Sequence, residues 1–397
     1  MSAGLQYPHL GRGSVIKLAF LNRSLSGCRI MSFRLLVVPL SVTVLMILAA
    51  FAPPRLAAQD VNVDVEVEEV EPGTAPPEDL TPAGEAEPGS YSMFAPKGPF
   101  EWITQHPLTL MFLQFPTESA YLLKPGESRI TYRIDLANSM FVEQSGTGLA
   151  QIDLEGFRQT LSYRRAINDR FEFAAFVPLQ TNTSGFMDSW IRNWHGFFGF
   201  PAGDRPHFAK NQFSYVVAEG NSFRILGESG EFGVGDISFT GKYFIRPEDK
   251  KLPAMAARIG IKVPTGDSGS QLGSGGFDFG VDVLAQKAYG RLVLYGQTGY
   301  IFTGGSDFDL DDHDLFEWTL AGEFQMSRKH SWIAQLHKIT NPFYTGVEDV
   351  DADTLEMALG WKRIIWRNWL WEAGFSEDVI VDSGPDFAAF SQVSFTF

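Results

Sequence analysis

The chain has 397 residues, of which 44% are hydrophobic and 14% aromatic, with 39 glycines and a single cysteine. This composition favours one sheet-rich body over two ordinary domains. No stretch after residue 58 approaches the ~20 apolar residues that a membrane-spanning helix needs. Any membrane crossing by the mature chain must therefore use strands.

The first 58 residues have the pattern of a leader and signal peptide. A short basic start at 31–34 precedes an apolar run at 35–52, and small residues follow up to a predicted cleavage after Ala58. Cys28 lies upstream of that run, so the mature chain has no cysteine for a disulfide framework. An alternative interpretation treats Leu25-Ser-Gly-Cys28 as a lipoprotein box.

The next segment, 59–100, is predicted to be a disordered, acidic, Pro-rich periplasmic tether. Residues 60–88 are rich in Glu, Asp and Pro and nearly lack aromatic residues, so they cannot bury enough apolar surface to offset the entropy of ordering. An acidic docking tail for a partner is the alternative.

From residue 128 onward, apolar and polar residues alternate in a period of two. Ile130, Tyr132 and Ile134, for example, alternate with charged or polar neighbours, which predicts half-buried strands. The strands carry large aromatic residues on one face and charge on the other, and they are long enough to cross hydrocarbon when tilted. We place twelve strands, near 128–141, 149–163, 169–178, 235–245, 254–264, 277–288, 291–302, 316–326, 331–340, 354–363, 368–378 and 387–397.

These strands predict an all-β fold, a transmembrane antiparallel up-and-down β-barrel formed by residues 101–397. Short connections alternate with generally longer, Gly- and Asp-rich ones, which is the known asymmetry of bacterial outer-membrane barrels. The final strand ends in Phe395 and Phe397, the pattern of a carboxy-terminal signal for the barrel-assembly machinery. The alternative for the whole fold is a soluble sandwich. Segment 108–123 could be an additional strand of the barrel or a piece folded into the lumen.

Charged residues on the inward face of the strands are the candidate lumen lining. Basic residues dominate the first half of the barrel and acidic residues the second, which predicts one cationic and one anionic wall. Such a lumen would suit a zwitterionic or small polar solute, or would neutralise and seal itself. The residues are Arg129, Arg133, Asp135, Arg158, Lys242, Arg258, Lys262, Glu317, Glu323, Glu356 and Glu372.

The connection 179–234 is far longer than the others and is predicted to contain a short amphipathic helix. Long structureless loops are uncommon unless functional or disordered, and this one is too aromatic for disorder. One hypothesis is a gate at the barrel mouth, and the other is an external cap packed on its own hairpin, 213–218 with 223–227. The candidate gate residues are Phe186, Asp188, Trp190, Trp194, His195 and Arg205.

The sequence suggests two further chemistries. Asp188, Ser189, His195 and Asp204 share the long loop and could form a hydrolase site, but no Gly-x-Ser-x-Gly nucleophile elbow accompanies them. Asp307, Asp309 and Asp311 form an oxygen-rich external loop that could hold Ca²⁺ or bridge divalent ions to lipopolysaccharide, although the spacing is not that of an EF-hand. The sequence predicts neither a cofactor nor a metal site of recognisable type.

Several motifs resemble an uncharacterised family of proteobacterial envelope proteins that is defined only as a domain of unknown function. These are Phe115-Pro-Thr-Glu-Ser119, Phe171-Glu-Phe-Ala-Ala-Phe-Val-Pro178, and Met187-Asp-Ser-Trp-Ile191 continuing through Trp194-His195, Phe198-Gly199, Pro201 and Arg205. The likeness covers most of residues 100–397. It implies an outer-membrane barrel and brings no activity.

The sequence as a whole predicts a monomeric outer-membrane barrel that acts as a channel or uptake porin for a small solute. A structural or assembly-related barrel with a sealed lumen is the second hypothesis, and an outer-membrane lipid hydrolase is the third. The expected partners are outer-membrane lipid and lipopolysaccharide, the assembly machinery and the solute, with no nucleic acid.

Overall fold

The computed structural model describes residues 91–146, 148–199, 205–220, 222–379 and 384–397. The predicted leader and most of the predicted tether, up to residue 90, lie outside the described residues. No helix in the described part of the chain is long and apolar enough to cross a bilayer.

Twelve antiparallel strands form a closed up-and-down barrel. Each strand pairs with the next along the chain, and the last pairs with the first over Arg129 to Asn138, which closes the cylinder. The predicted fold class is therefore confirmed. The strands are Ser128–Ser145 (β1), Gly148–Ala166 (β2), Phe171–Thr183 (β3), Ile237–Arg246 (β4), Ala254–Val263 (β5), Asp278–Tyr289 (β6), Leu292–Phe302 (β7), Leu315–Gln325 (β8), His330–Ile339 (β9), Thr354–Trp366 (β10), Trp369–Asp378 (β11) and Phe387–Thr396 (β12).

One predicted connection is wrong. Residues 142–148 were expected to form an external loop, but β1 and β2 remain paired up to Ser145 and Gly148. The ladder continues because a hairpin, Ser214–Glu219 with Ser222–Leu226, adds to the free side of β2 beyond the barrel. The first two strands therefore extend further than the others at the long-loop end.

The two faces of the wall differ as the alternation predicts. Side chains of one parity point outward and leave apolar surface exposed, with Leu161 at 52%, Ile259 at 55% and Leu320 at 59%. Their neighbours point inward and are charged or polar yet buried, such as Lys242 and Glu317. An apolar outer face around a polar interior is the surface pattern of a barrel that sits in lipid.

Residues 91–127, here called the luminal segment, fill the interior. The segment starts beside the β6–β7 turn, where Met93 N donates to Gly290 O over 2.7 Å. It rises to a 3₁₀ turn at Thr109–Met111 and returns to the start of β1. Residues 91–100, predicted to belong to the tether, thus lie in the barrel, and 108–123 forms a luminal piece and adds no strand.

Smaller elements lie at the long-loop end. The helices Asp188–Phe198 (α1) and Glu348–Asp351 (α2) lie here. There are also 3₁₀ turns at Arg205–His207 and Ser268–Ser270. In addition to the hairpin, short strands lie outside the barrel ladder: Phe232–Val234, which pairs with β3, and Asp311–Asp312, which pairs with Phe343–Tyr344.

Candidate functional site

Polar contacts hold the luminal segment from around the whole circumference of the barrel. Its backbone N–H groups donate to wall carboxylates, from Leu113 to Asp278 Oδ2 over 2.8 Å and from Phe115 to Glu317 Oε1 over 3.2 Å. Its carbonyl oxygens accept from wall cations, as when Lys362 Nζ donates to Pro99 O over 2.6 Å. The inward charges serve as hydrogen-bond partners for a segment that has little regular structure of its own.

Glu118 of the luminal segment neutralises a large part of the predicted cationic wall. Its carboxylate lies 2.6 Å from Arg258 Nη1 and 2.8 Å from Lys242 Nζ, and it also pairs with Arg164. All four side chains are buried. The first half of the barrel is therefore not a bare cationic surface, because a luminal acid compensates it.

The predicted anionic wall is likewise engaged. Glu323 accepts from the backbone N–H groups of Lys97 and Gly98 at 3.0 and 3.1 Å, and Glu372 pairs with Lys362 over 2.5 Å. Glu356 is fully buried, and no ion pair involves it within the described residues. Most inward charges thus belong to a network between wall and segment.

Phe115 anchors the middle of the luminal segment against two glycines of the wall. Gly260 and Gly280 lie opposite each other on β5 and β6. A Cβ atom built on either would lie 2.6 or 2.7 Å from the Phe115 ring, closer than real Cβ contacts allow. Arg258 covers the same ring at 4.9 Å. The missing side chains create the space in which Phe115 fits.

The segment does not fill the lumen completely, because three cavities follow one another beside it on the β1–β3 side. Their volumes are about 180 Å³ at the short-turn end, about 60 Å³ in the middle and about 20 Å³ towards the long-loop end. The first two share Glu101 and Gln392 in their lining, and the last two share Leu110, Arg158 and Gln180. The cavities thus form an interrupted path along a single wall.

An apolar cluster covers the tip of the luminal segment at the long-loop end. The cluster joins Leu108, Met111 and Phe112 of the segment to Tyr215 of the hairpin and Phe343 of a neighbouring loop. The rings of Phe112 and Phe343 meet edge to face at 5.4 Å. This hairpin is the one that the cap hypothesis specified, and it contributes to closing the mouth.

Helix α1 lies elsewhere, on the outside of the wall. Ile191 of the helix and Met187, the residue just before it, pack on Leu136, Phe375 and Phe387. These three wall residues have the outward parity of their strands. Trp190 and Trp194 stack at 5.2 Å over the same patch, and Phe186 and Phe197 remain exposed. The predicted gate residues therefore do not reach the mouth, because outward apolar side chains at the tops of β1, β11 and β12 offer the helix a better partner.

Arg205 connects this outer layer to the barrel wall. It is 1% exposed and donates to Asp188 Oδ1 over 2.8 Å and to Asp386 Oδ2 over 2.7 Å, and it also bonds Asn138 of β1. Burial lowers the pKa of Arg205, but the paired carboxylates of Asp386 and Asp188 outweigh that effect, so its pKa lies above the usual value. Arg205 stays charged and joins α1, β1 and the loop before β12.

The remaining candidate chemistries are dispersed. Ser189 Oγ is exposed and lies 3.1 Å from Lys210 Nζ, whereas His195 is buried with its Nε2 3.6 Å from Glu377 Oε2. Asp307 accepts from Ser268 over 2.7 Å, and Asp309 pairs with Arg224. Among the described residues, no group of three acidic, His or Cys side chains is arranged to hold a metal ion.

Sequence reasoning missed several inward acids. Glu172, Asp278 and Asp282 have the parity of the lumen and are buried there, Asp282 being paired with Arg258 over 2.5 Å. Their alternation with Phe171, Phe279 and other outward residues was a usable signal. Glu118 gave no comparable signal, since it lies in a segment without periodicity.

The fold defines the class of protein first: a closed twelve-stranded antiparallel barrel with an apolar outer face and an occupied lumen. The chain belongs to the family described as "Protein of unknown function (DUF3187)", whose model matches residues 85–397. No functionally curated protein shows a significant sequence match.

Three solved structures share the barrel fold at low sequence identity. The COG4313 outer membrane channel from Pseudomonas putida F1 aligns with a TM-score of 0.48 and 13% identity, over 70% of this chain and 98% of that chain. The translocator domain of the autotransporter NalP from Neisseria meningitidis gives 0.36 and 12%, over 69% and 89%, and the KdgM porin gives 0.36 and 7%, over 68% and 99%. The function must therefore be argued from the lumen of this chain.

Proposed function

We propose that this protein is a bacterial outer-membrane channel for a small polar solute, closed at rest by the luminal segment. The observation that carries the proposal is the interrupted path of three cavities between the segment and the β1–β3 wall. Short turns at one end and mostly long loops at the other support an orientation with the luminal segment entering from the periplasm.

The contacts between the luminal segment and the wall are of a kind that would allow the segment to move. Many of its contacts with the wall are hydrogen bonds and ion pairs, such as those of Leu113 with Asp278 and Glu118 with Lys242. Water can replace such contacts when the segment moves, and a hydrogen bond with a charged partner contributes about 1.5–3 kcal/mol net to stability. Apolar contacts are most extensive at the tip, under the hairpin, and a smaller cluster packs Phe100 and Trp102 of the segment on the wall. A shift of the segment would join the cavities without opening the wall.

A barrel with a permanently sealed lumen is the second candidate. It is favoured by the density of buried ion pairs around Glu118, which leaves little free space on the β4–β6 side. In this case the segment would be part of a rigid core, and the exposed surfaces would carry the function.

Planar-bilayer recording of the refolded wild-type protein separates the two candidates. A closed channel with a mobile segment predicts long silent periods interrupted by small, discrete openings. Bilayers treated with the same detergent without protein provide the control. Correctly folded protein that never conducts, with folding verified by heat-modifiable migration on gels, would refute the channel and support the sealed barrel.

A further inference from the structure

We propose that the path beside the luminal segment admits small anions, and that Arg158, which lines both its middle and its upper cavity, is the residue that recognises them. This inference rests on the proposed channel function and specifies the class of its solute. It follows from the distribution of charge along the path and from the surroundings of Arg158.

The path is lined by more cations than anions. Eight lysine and arginine side chains line the three cavities, against six acidic side chains. Each of the six acids takes part in an ion pair: Glu101, Glu118, Asp135, Glu172, Asp236 and Glu372. Anionic charge on the path is therefore compensated within the protein.

Three lining cations have no ion pair among the described residues, namely Lys97, Arg129 and Arg158. Lys97 and Arg129 belong to the large cavity at the short-turn end, where a cationic surface raises the local concentration of anions. Arg158 lies further inside and lines both the middle and the upper cavity. The uncompensated charges thus follow the direction in which a solute would move.

Arg158 has a free donor where the middle and upper cavities meet. Its Nε group makes a long contact of 3.4 Å with Thr160, while its Nη1 atom is buried and has no hydrogen-bond partner within the described residues. The neighbouring Asp135 lies opposite on β1, but its carboxylate is bound by the Arg133 guanidinium at 2.7 Å. A buried guanidinium donor without a partner is costly unless a ligand or water satisfies it.

The size and chemistry of the middle cavity fit a small anion. A volume of about 60 Å³ holds several water-sized particles, since one water needs roughly 10–15 Å³ by this measure. Gln180 lines the middle and upper cavities, as Arg158 does; its Nε2 atom donates to Leu272 O over 3.0 Å and carries a second N–H that can donate to a ligand. A carboxylate or an inorganic anion could accept from both side chains, since guanidinium groups suit planar oxyanions.

Reversal potentials in a KCl gradient test the proposal. The wild-type channel should prefer chloride over potassium, and Arg158→Gln should reduce that preference roughly threefold or more, because one cationic charge is lost from the lining of two of the three cavities. Arg158→Lys, which keeps the charge, should retain most of it. Potassium acetate in place of KCl shows whether a carboxylate passes as chloride does.

The control is Arg165→Gln. Arg165 lies on the same strand, and its replacement removes the same charge, but its side chain is exposed on the outward parity and bonds Ser128. The ion selectivity of the Arg165→Gln channel should equal that of the wild type. A conducting channel that prefers cations, or that is unaffected by Arg158→Gln, overturns the anion proposal while the channel function stands. A wild-type protein that never conducts overturns both.

Discussion

At the scale of single residues, the docking of Phe115 on two glycines shows how the wall accommodates the luminal segment. Several inward positions on β5 and β6 carry charged side chains such as Arg258 and Asp282, and these bond the segment or each other. Gly260 and Gly280 lie opposite each other on the same inward face, at the point where the Phe115 ring lies. The sequence therefore leaves a pocket for one aromatic side chain of the segment.

Replacing Gly280 with Val should loosen the luminal segment and increase the time that the channel spends open. The Val side chain would occupy the space of the Phe115 ring, since even a Cβ atom comes within 2.7 Å of it. Overpacking of this kind costs about 1–3 kcal/mol. Here the segment can relieve the strain by moving, and single-channel recording measures the open fraction.

Gly296→Val is the matched control for this substitution. Gly296 lies on the outward parity of β7, and the nearest heavy atom to a Cβ built there is 3.9 Å away. The open fraction of the Gly296→Val channel should match that of the wild type. An unchanged open fraction in Gly280→Val would mean that Phe115 does not hold the segment closed.

At the scale of elements, α1 and the hairpin show that two parts of the long loop have different positions, one on the outside of the wall and one over the mouth. The helix covers an outward patch of β1, β11 and β12, whereas the hairpin 214–226 contributes Tyr215 and Ile225 to the cover over the mouth. A single connection thus supplies both an outer layer and part of a lid. The buried Arg205 network fastens the outer layer.

Arg205→Met should release α1 from the wall without altering conductance. The substitution leaves the carboxylates of Asp188 and Asp386 buried without their cation, and breaking such a pair costs about 3–5 kcal/mol. The loss should be local, so limited proteolysis within residues 184–213 should become faster while the barrel stays folded. Recording of the same variant should give wild-type currents.

Arg224→Met provides the comparison, because Arg224 joins Glu219 and Asp309 at the partly exposed surface of the hairpin. Surface pairs contribute about 0–1 kcal/mol, so little change in proteolysis is expected. If Arg205→Met changes the currents, then α1 takes part in gating after all, as the sequence first suggested.

At the scale of the whole molecule, the barrel itself could be predicted from the sequence. Alternation such as that of Ile259 and Ile261 with Arg258 and Lys262 determines which face meets lipid, and it recurs in all twelve strands. The inward parity also predicted charged residues that are buried inside the barrel, such as Lys242 and Glu317. Period-two patterns are local, so a single sequence is enough to detect them.

The occupied lumen and the outer helix could not be derived in the same way. The luminal segment has no periodicity, and its order depends on wall partners distant in sequence, as in the bond between Phe115 and Glu317. The position of α1 depends on an apolar patch of β1, β11 and β12, strands that are distant from the helix in sequence. Asn138 and Glu155 also lie on the lipid-facing parity and are buried by the loop. Buried polar residues on an outward face indicate a cover, but they do not identify it.

The central claim is that the luminal segment opens and closes the path, and a reversible disulfide tests it most directly. Thr117 of the segment and Thr319 of the wall have hydroxyl oxygens 3.3 Å apart, and the predicted mature chain has no cysteine of its own. Thr117→Cys/Thr319→Cys would therefore tie the segment to β8. Thr131→Cys/Ser394→Cys, whose native hydroxyls are 2.9 Å apart on neighbouring wall strands, would form a bond that leaves the segment free.

Single-channel recording of the segment-to-wall variant before and after reduction is the decisive measurement. The account predicts silence when the variant is oxidised, wild-type openings after reduction, and openings in both states for the wall-to-wall control. Openings that persist in the fully oxidised segment-to-wall variant would contradict it.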